Sequence, residues 1–493
     1  MRKLCPEIWR KLGLLAVTLI FLPTLSAGLK EQWQEVTRDL QHQNRAAWVG
    51  YSFTKMVPVA NQHANLVQDG VFIGWSSHGG GATMGQLLKK YAKPMPGTRG
   101  VTMLGPGMIG EGELMPKEMA VMFYFDSQGQ IEKVLVGDLS WNIHIGGHEL
   151  YWLGNHEQTE SLDFLIRNYD LGLAEKPARR VVTAIGLHQD PERVLPFLLP
   201  ILNSDGPEKL RREAASAMGD QGDPAAILPL LNAAMTDEVE KVAREAVEAL
   251  GHLRLAAADE ALMEIVRDAG KERVRREAVE TLGRRPSPKV LNMLEEVAFN
   301  DPSQRVQREA VEAVARWGDR QAFDLLRKVI RKHGEERVVR EAVEQLRRFP
   351  AGDALTELKW VLEYSPATRV KREAVETAAT LENGAGESLI MSVAQKHADG
   401  RVRREAVEQL RRSGSEGVID VLAKVAGDDP DRKVREEALE TLMKLPNGTG
   451  LDMVVQLARE HQNPQIRKVA IKVLGDSDDA RARNALIELL KTR

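Results

Sequence analysis

Three histidines in the N-terminal third of the chain have the side chains best suited to binding a metal ion. His144, His148 and His156 lie close together, and Glu149 and Glu157 each follow one of them directly. Imidazole and carboxylate groups of this kind suit zinc. The helical His-Glu-x-x-His spacing is missing, and histidines at strand ends and turns of a half-exposed sheet are a simpler explanation. We therefore predict no metal and no cofactor, with a metal at this histidine trio as the alternative.

A glycine-rich segment nearer the N-terminus has the composition of a phosphate-binding loop. Residues 76–85 read Ser-Ser-His-Gly-Gly-Gly-Ala-Thr-Met-Gly. A P-loop needs a Lys-Ser/Thr pair after its last glycine, where this chain has Gln86-Leu87. If Ser76 were a nucleophile, His78 would replace the last glycine of the hydrolase motif Gly-x-Ser-x-Gly. We interpret the segment as a surface loop, with a catalytic loop as the alternative.

Charged residues that recur every 32 positions are the most regular feature of the sequence. The arginine row comprises Arg212, Arg244, Arg276, Arg308, Arg340, Arg372 and Arg404. The first glutamate row, one residue further on, comprises Glu213, Glu245, Glu277, Glu309, Glu341, Glu373, Glu405 and Glu437. The second glutamate row, three residues after the first, comprises Glu248, Glu280, Glu312, Glu344, Glu376, Glu408 and Glu440. A further arginine set comprises Arg273, Arg305, Arg337, Arg369 and Arg401.

These rows have two interpretations. The ions can pair with one another within and between helices, as Arg276 and Glu280 would at a separation of four residues, and leave a solvated face. Alternatively they present alternating charge to an elongated protein. We predict a protein-binding face made of the arginine row from Arg244 to Arg404 and the second glutamate row from Glu248 to Glu408.

Apolar residues with the same period define the helix that carries these rows. Val, Ala, Val and Leu recur three residues before and one, two and five residues after the first glutamate row, as in Val402, Ala406, Val407 and Leu410. Apolar residues at i, i+4, i+5 and i+8 form one stripe of an α-helix. The ladder extends to Val181 and Val469, so the sequence contains ten copies.

A second apolar column, 17 residues after the first glutamate row, predicts another helix in every repeat. Its members are Leu198, Leu230, Leu262, Leu294, Leu326, Leu358, Ile390, Leu422, Val454 and Leu486. Pro and Gly interrupt the chain between the two helices. A helix pair with one apolar face buries that face only by stacking on its neighbours. The sequence therefore predicts a mostly α protein, an α-solenoid of about ten 32-residue helix pairs.

The Val-x-x-Glu-Ala-Val pattern on paired helices resembles HEAT repeats, in particular the short HEAT-like type of phycobilin lyases and deoxyhypusine hydroxylase. The resemblance covers about residues 178–493. It implies an α-solenoid, and HEAT arrays mostly bind other proteins. Deoxyhypusine hydroxylase holds iron through His-Glu pairs on its repeat helices, whereas the His-Glu pairs here, at His148 and His156, precede the array. This departure removes the main reason to expect enzymatic activity.

Residues 1–27 have the features of a secretory signal peptide. Four basic residues precede the apolar run from Leu12 to Leu22, and small residues near Ala27 supply a cleavage site. The run is shorter than the roughly 20 apolar residues of a membrane span. We predict a periplasmic or extracellular protein without a membrane span once the signal is removed, an uncleaved anchor being the alternative. The one cysteine, Cys5, lies within the signal.

Between the signal and the array we predict a small β-rich domain over residues 28–156 and a linking helix over 157–177. A helix fills residues 28–43, and strands are expected at 47–53, 71–75 and 149–153. Residues 119–125 and 130–136 flank a glycine-containing turn and predict a β-hairpin. Residues 76–116 are expected to form a loop. The opening Trp-Val-Gly-Tyr-Ser of this domain, ahead of short HEAT repeats, is similar to a group of exported bacterial HEAT-repeat proteins with no assigned activity.

The formal net charge of −3 gives no support for nucleic-acid binding. The sequence as a whole favours an exported, non-enzymatic scaffold that binds another protein along its solenoid. The alternative is an enzyme or a ligand- or metal-binding protein whose site lies in the β-rich domain, near His78 and His144 to His156.

Overall fold

A computed structural model describes residues 19–20, 28–58, 114–139, 147–169, 173–413 and 415–491. The chain forms two compact units, a first unit of residues 1–268 and a second unit of residues 269–493. The predicted strand at 71–75, His78, His144 and the glycine-rich segment lie outside the described residues, as does the predicted signal apart from residues 19–20.

The first unit begins with a mixed β-sheet. Its strands are β1 (Leu19–Ile20), β2 (Ala47–Pro58), β3 (Leu114–Phe125), β4 (Ile131–Asp138) and β5 (Glu149–His156). They lie in the order β1-β5-β2-β3-β4, with β2–β3 and β3–β4 antiparallel and β5 parallel to both β1 and β2. The predicted hairpin is confirmed as β3–β4, whose turn Asp126 stabilises by accepting the N–H groups of Gln128 and Gln130, both at 2.8 Å. The predicted loop over 76–116 is wrong at its end, because residues 114–116 pair with β2.

Two helices cover one face of this sheet. Helix α1 (Leu29–Gln43) buries Leu29, Trp33, Val36 and Leu40, the residues that define its predicted apolar side. Helix α2 (Gln158–Asn168) contributes Phe164. The Trp33 ring lies edge-on to Phe123 of β3 and to Phe164, with centroids 4.9 Å apart in both pairs. This aromatic core joins the sheet to α1 and α2.

The described residues contain 22 α-helices, and all but α1 and α2 follow the 32-residue period. In the first unit these are α3 (Glu175–Gly186), α4 (Pro191–Leu202), α5 (Glu208–Asp220), α6 (Ile227–Thr236), α7 (Glu240–His252) and α8 (Ala256–Asp268). In the second unit they are α9 (Glu272–Gly283), α10 (Pro288–Asn300), α11 (Gln304–Ala315), α12 (Arg320–Lys332), α13 (Glu336–Gln345), α14 (Ala351–Tyr364), α15 (Thr368–Ala379), α16 (Glu387–Lys396), α17 (Gly400–Gln409), α18 (Glu416–Asp428), α19 (Arg432–Lys444), α20 (Leu451–Glu460), α21 (Pro464–Gly475) and α22 (Ala480–Lys491).

The odd-numbered helices from α3 to α21 contain the positions of the charged rows, whose residues run from α5 to α19, and we call them the second helices. The even-numbered helices from α4 to α22 are the first helices and carry the other apolar column. Val402, Ala406 and Val407 are fully buried, and so is Leu422 of the first-helix column. The prediction of a helix-pair solenoid preceded by a small β-rich domain is confirmed.

Successive second helices pack closely where small residues face each other. In the second unit, a Cβ atom added to Gly283 at the end of α9 would lie 2.6 Å from the Cβ of Ala313 in α11. Two carbon atoms at that distance overlap, so the helices come together only because Gly283 has no side chain. The alanine column of the sequence serves the same close packing.

Replacing Gly283 with Ala is therefore expected to lower the free energy of unfolding by about 1–3 kcal/mol, even though alanine favours helix over glycine. Gly334→Ala is the matched control, because a Cβ there meets no atom within 4 Å. Chemical denaturation of both variants measures the difference. Equal stabilities for the two would contradict the close packing described here.

Candidate protein-binding surface

The arginine row pairs with the first glutamate row of the next repeat. Arg308 on α11 places Nε 2.9 Å and Nη2 2.6 Å from the same carboxylate oxygen of Glu341 on α13. We call each such ion pair between successive second helices a rung. Further rungs join Arg212 to Glu245 in the first unit and, in the second, Arg340 to Glu373 and Arg372 to Glu405, each with its shortest contact at 2.5 or 2.6 Å.

Two other rungs are longer. Arg276 lies 3.8 Å from Glu309, and Arg404 lies 3.8 Å from Glu437. Glu280, which the sequence paired with Arg276, instead accepts a hydrogen bond from Arg284 at 2.8 Å. The pairing between helices thus takes precedence over the predicted i,i+4 contact at this arginine.

The two ions of a rung differ in exposure. In the Arg308–Glu341 rung, the arginine side chain is 47% exposed and the glutamate side chain 6% exposed. The carboxylate is held between the helices while the guanidinium faces solvent. The arginine row therefore presents a line of half-exposed cations whose positions the rungs fix. In the first unit Arg244 is half-buried and Glu248 is exposed on α7.

The second glutamate row lies beside the rungs, and most of its members are paired with basic residues. Some members pair with a basic residue at the end of their own helix, as in Glu312 with Arg316 at 3.5 Å and Glu344 with Arg347 at 3.1 Å. Burial, together with the charges of Glu312 and Glu280, raises the pKa of Glu309. Arg316 and Arg276 act in the opposite direction on this pKa, so the Glu309 carboxylate lies among groups of both signs.

Burial and neighbouring carboxylates have the same effect at two other places in the second unit. Burial raises the pKa of Glu376, and the charges of Glu405 and Glu373 add to the effect. Burial likewise raises the pKa of Glu437, with Glu408 and Glu440 contributing. Arg372 and Arg340 act in the opposite direction at Glu376, and Lys444 and Arg404 do so at Glu437, so groups of both signs surround these carboxylates.

The further arginine set pairs in the opposite direction, with the preceding repeat. Arg305 on α11 lies 3.3 Å from Glu272 on α9, and Arg369 on α15 lies 3.8 Å from Glu336 on α13. Both arginines are about three-quarters exposed. The second helices therefore carry parallel lines of cations and carboxylates, and neighbouring helices are linked at more than one level.

A separate group of arginines is buried, which the sequence analysis did not anticipate. Arg403 on α17 is bidentate to Asp429, with Nε and Nη2 2.7 and 2.9 Å from its two oxygens. Its Nη1 also donates to the carbonyl of His397 at 2.7 Å. Arg275 and Asp301 form the equivalent pair earlier in the second unit. These ions are covered by protein and do not belong to the binding surface.

Three histidines that recur in the array, His333, His397 and His461, are turn residues. The Nδ1 atoms of His333, His397 and His461 accept the backbone N–H two residues further on, at 3.0 to 3.1 Å. Asp301 and Asp429 occupy the same column and accept the equivalent N–H through Oδ1. The turn before the second helix thus needs an acceptor at this column, which either residue type supplies.

The histidine trio does not form one metal site. His148 precedes β5 and lies 3.1 Å from the Tyr124 hydroxyl, whereas His156 ends β5 and contacts Glu160 and the Leu153 carbonyl, both at 3.0 Å. Eight residues of strand separate the two by roughly 26 Å, too far to share an ion. Within the described ranges, no group of three or more His, Cys, Asp and Glu side chains is arranged to hold a metal.

A buried polar chain that the sequence analysis missed lies where the sheet meets α3. Ser161 Oγ lies 3.1 Å from the Tyr51 hydroxyl and 2.9 Å from His188 Nε2, and His188 Nδ1 donates to the Ala184 carbonyl at 2.8 Å. The His188 ring stacks on Phe53 with centroids 4.1 Å apart. His188 is 1% exposed, and Tyr51 and Ser161 are completely buried. A serine and histidine sealed in this way join elements of the fold rather than meet a substrate.

The repeats match two known repeat families. The family model of HEAT repeats matches residues 227–299, 291–377 and 355–443. These residues form HEAT repeats. A second family, the PBS lyase HEAT-like repeat, matches residues 210–234, which confirms the resemblance seen in the sequence. No curated protein matches this HEAT-repeat chain significantly.

Several solved structures resemble the HEAT array at low identity. The crystal structure of Kap121p bound to Pho4p is 14% identical with a TM-score of 0.43, covering 67% of this chain and 41% of that one. Yeast importin-beta (Kap95p) is 15% identical with a TM-score of 0.35, covering 66% and 51%. Human deoxyhypusine hydroxylase in complex with glycerol is 22% identical with a TM-score of 0.24, covering 52% and 96%. This chain spans about two-fifths of Kap121p, and TM-scores this low support no inference about function.

Proposed function

We propose that this chain is an exported, non-enzymatic scaffold that binds another protein along its second helices. The observation that carries the proposal is the set of rungs. Each rung holds a half-exposed guanidinium next to the carboxylates of the second glutamate row. Because these groups are already fixed, the scaffold loses little conformational freedom when a partner binds.

The spacing of the rungs defines the partner that fits. Packed helices lie about 8–10 Å apart, so successive rungs repeat at that distance. An extended chain advances about 3.3 Å per residue and would meet a rung about every third residue. The partner expected on this face is therefore an elongated segment with charged side chains at that interval. Basic groups would face the second glutamate row.

The proposed location outside the cytoplasm rests on the basic N-terminus and the apolar run of residues 12–22. None of the helices in the described part of the chain has the length and apolar composition to cross a membrane. Cell fractionation with N-terminal sequencing of the mature protein tests the location. Recovery in the cytoplasm with residue 1 intact would contradict it.

The binding role is tested by neutralising the second glutamate row. The variant Glu312→Gln, Glu344→Gln, Glu376→Gln removes three carboxylates from the face while leaving every rung in place. We expect the amount of partner captured from an extract of the native compartment to fall by about tenfold or more, which corresponds to about 1.4 kcal/mol.

The matched control makes the same change on first helices of the second unit: Glu296→Gln, Glu363→Gln, Asp420→Asn. All three residues are exposed and lie away from the rungs. Capture by the control should equal that of the unmodified chain. If the two variants capture the same amount of partner, the second helices are not the binding face.

A further inference from the structure

The regular charge pattern breaks in the last two second helices, and a groove is present there. The groove has a volume of about 890 Å³ and lies between α19 and α21. Leu439, Met443, Val469 and Val473 contribute its apolar lining. Leu439 is 1% exposed, while the other three are only half-buried, so part of this apolar surface remains open to solvent.

A rung is missing where the groove lies. The arginine row would place arginine at position 436, but Glu436 stands there. The first glutamate row would place glutamate at position 469, but Val469 stands there. No ion pair can form between these two side chains, and an apolar side chain lines the space that the carboxylate occupies in earlier repeats.

On α21 the sign of the charge in this row is also reversed, while Glu436, Glu440 and Asp476 also line the groove. The second glutamate row would place glutamate at position 472, but Lys472 stands there, one turn after Lys468. Glu436 is paired with Arg432 at 2.7 Å and Glu440 with Lys444 at 3.3 Å. Within the part of the chain that the structure describes, Lys468 and Lys472 are exposed and have no acidic side chain within ion-pair distance.

We propose that this groove binds an acidic amphipathic helix of the protein partner. Apolar side chains on one face of such a helix would cover Met443, Val469 and Val473, and its carboxylates would reach Lys468 and Lys472. Helix-in-groove recognition uses this combination of apolar anchors and flanking charge. Basic helices are disfavoured, because they would bring like charges to the two lysines.

The groove can fix the position of a partner along the repeats, which the identical rungs cannot do. This inference rests on the proposed binding function. Since the rungs repeat every 32 residues, a partner could slide by one repeat and meet the same charges. A single site of opposite charge and apolar character distinguishes one position from the others. The groove therefore sets the register and direction of the partner on the scaffold.

The test restores the repeat pattern instead of damaging it. In the variant Glu436→Arg, Val469→Glu, Lys472→Glu, the missing rung and the glutamate row are rebuilt with the residues found in earlier repeats. This variant is expected to fold, because the same residues are accommodated from α11 to α17. The matched control is Asp428→Arg, Gln456→Glu, Lys424→Glu, which makes the same charge changes at exposed positions of α18 and α20.

The probe is a fluorescent amphipathic peptide with leucines at helical spacing and glutamates elsewhere, used with the full chain and followed by anisotropy. We expect it to bind the unmodified chain and the control alike, and the restored variant at least about tenfold more weakly. Equal binding to the restored variant, no binding to the unmodified chain, or tighter binding of the matching lysine peptide would each overturn the proposal. If the peptide test fails while the Glu312→Gln, Glu344→Gln, Glu376→Gln variant still captures less partner, the groove proposal is wrong and the proposed scaffold function is unaffected.

Discussion

Replacing Asp429 with Ala is expected to lower the free energy of unfolding of the second unit by about 3–5 kcal/mol. The Asp429 side chain is 3% exposed and binds both Nε and Nη2 of Arg403, which is itself 8% exposed. It also accepts the backbone N–H of Asp431 at 2.8 Å. Its removal leaves a buried guanidinium without its counter-ion and a turn without its acceptor.

A double variant separates the charge effect from the loss of packing. Arg403→Met combined with Asp429→Leu removes both ions and should recover most of the lost stability. Glu280→Gln is the exposed control, because its partner Arg284 is 61% exposed, and it should change stability by less than about 1 kcal/mol. Chemical denaturation measures all three. A loss at Asp429 no larger than that at Glu280 would contradict the buried ion pair.

Protonation of His188 is expected to destabilise the first unit by about 3 kcal/mol as the pH falls from 6.5 to 4. Burial lowers the pKa of His188 to about 4, and the charges of Lys55 and Arg193 act in the same direction, against hydrogen bonds to the backbone. The unfolded chain, with a pKa near 6.5, binds the proton first. The stabilising contribution is thus complete above about pH 6.5 and is lost as the pH falls through 4.

Hydrogen exchange of α2 and α3 across this pH range measures the effect. His188→Gln, which keeps an acceptor for Ser161 and a donor for Ala184, should lack this pH-dependent loss. His252 provides a contrast, because its hydrogen bond to Asp220 raises its pKa, so its contribution is present at low pH and is lost as the pH rises. Identical pH profiles for the unmodified chain and the His188 variant would show that the histidine does not titrate in this way.

The period of the sequence was sufficient to predict the repeats. Val402, Ala406 and Leu410 recur at helical spacing, and their columns pack between helices as expected. A period also placed Arg308 and Glu341 one repeat apart on the same face. It did not show that Arg276 pairs with Glu309 on the next second helix and not with Glu280 on its own helix. That choice depends on the distance between the helices.

Features outside the charged rows were harder to predict. Arg403 follows the buried Val402 directly, so a helical wheel puts it at the edge of the apolar stripe, which is a signal that could have been used. Ser161 and His188 are 27 residues apart, and nothing in the sequence pairs them. They meet because α2 and the end of α3 pack on the same sheet. The parallel pairing of β5 with β2 is another long-range contact of this kind.

Footprinting of the bound partner tests the central claim most directly. Hydrogen exchange or covalent labelling of the full chain, with and without the captured partner, should show protection along the second helices α11 to α17 and at Lys468 and Lys472. The first helices and the sheet should change little. Protection confined to the sheet of the first unit, with unchanged second helices, would contradict the account.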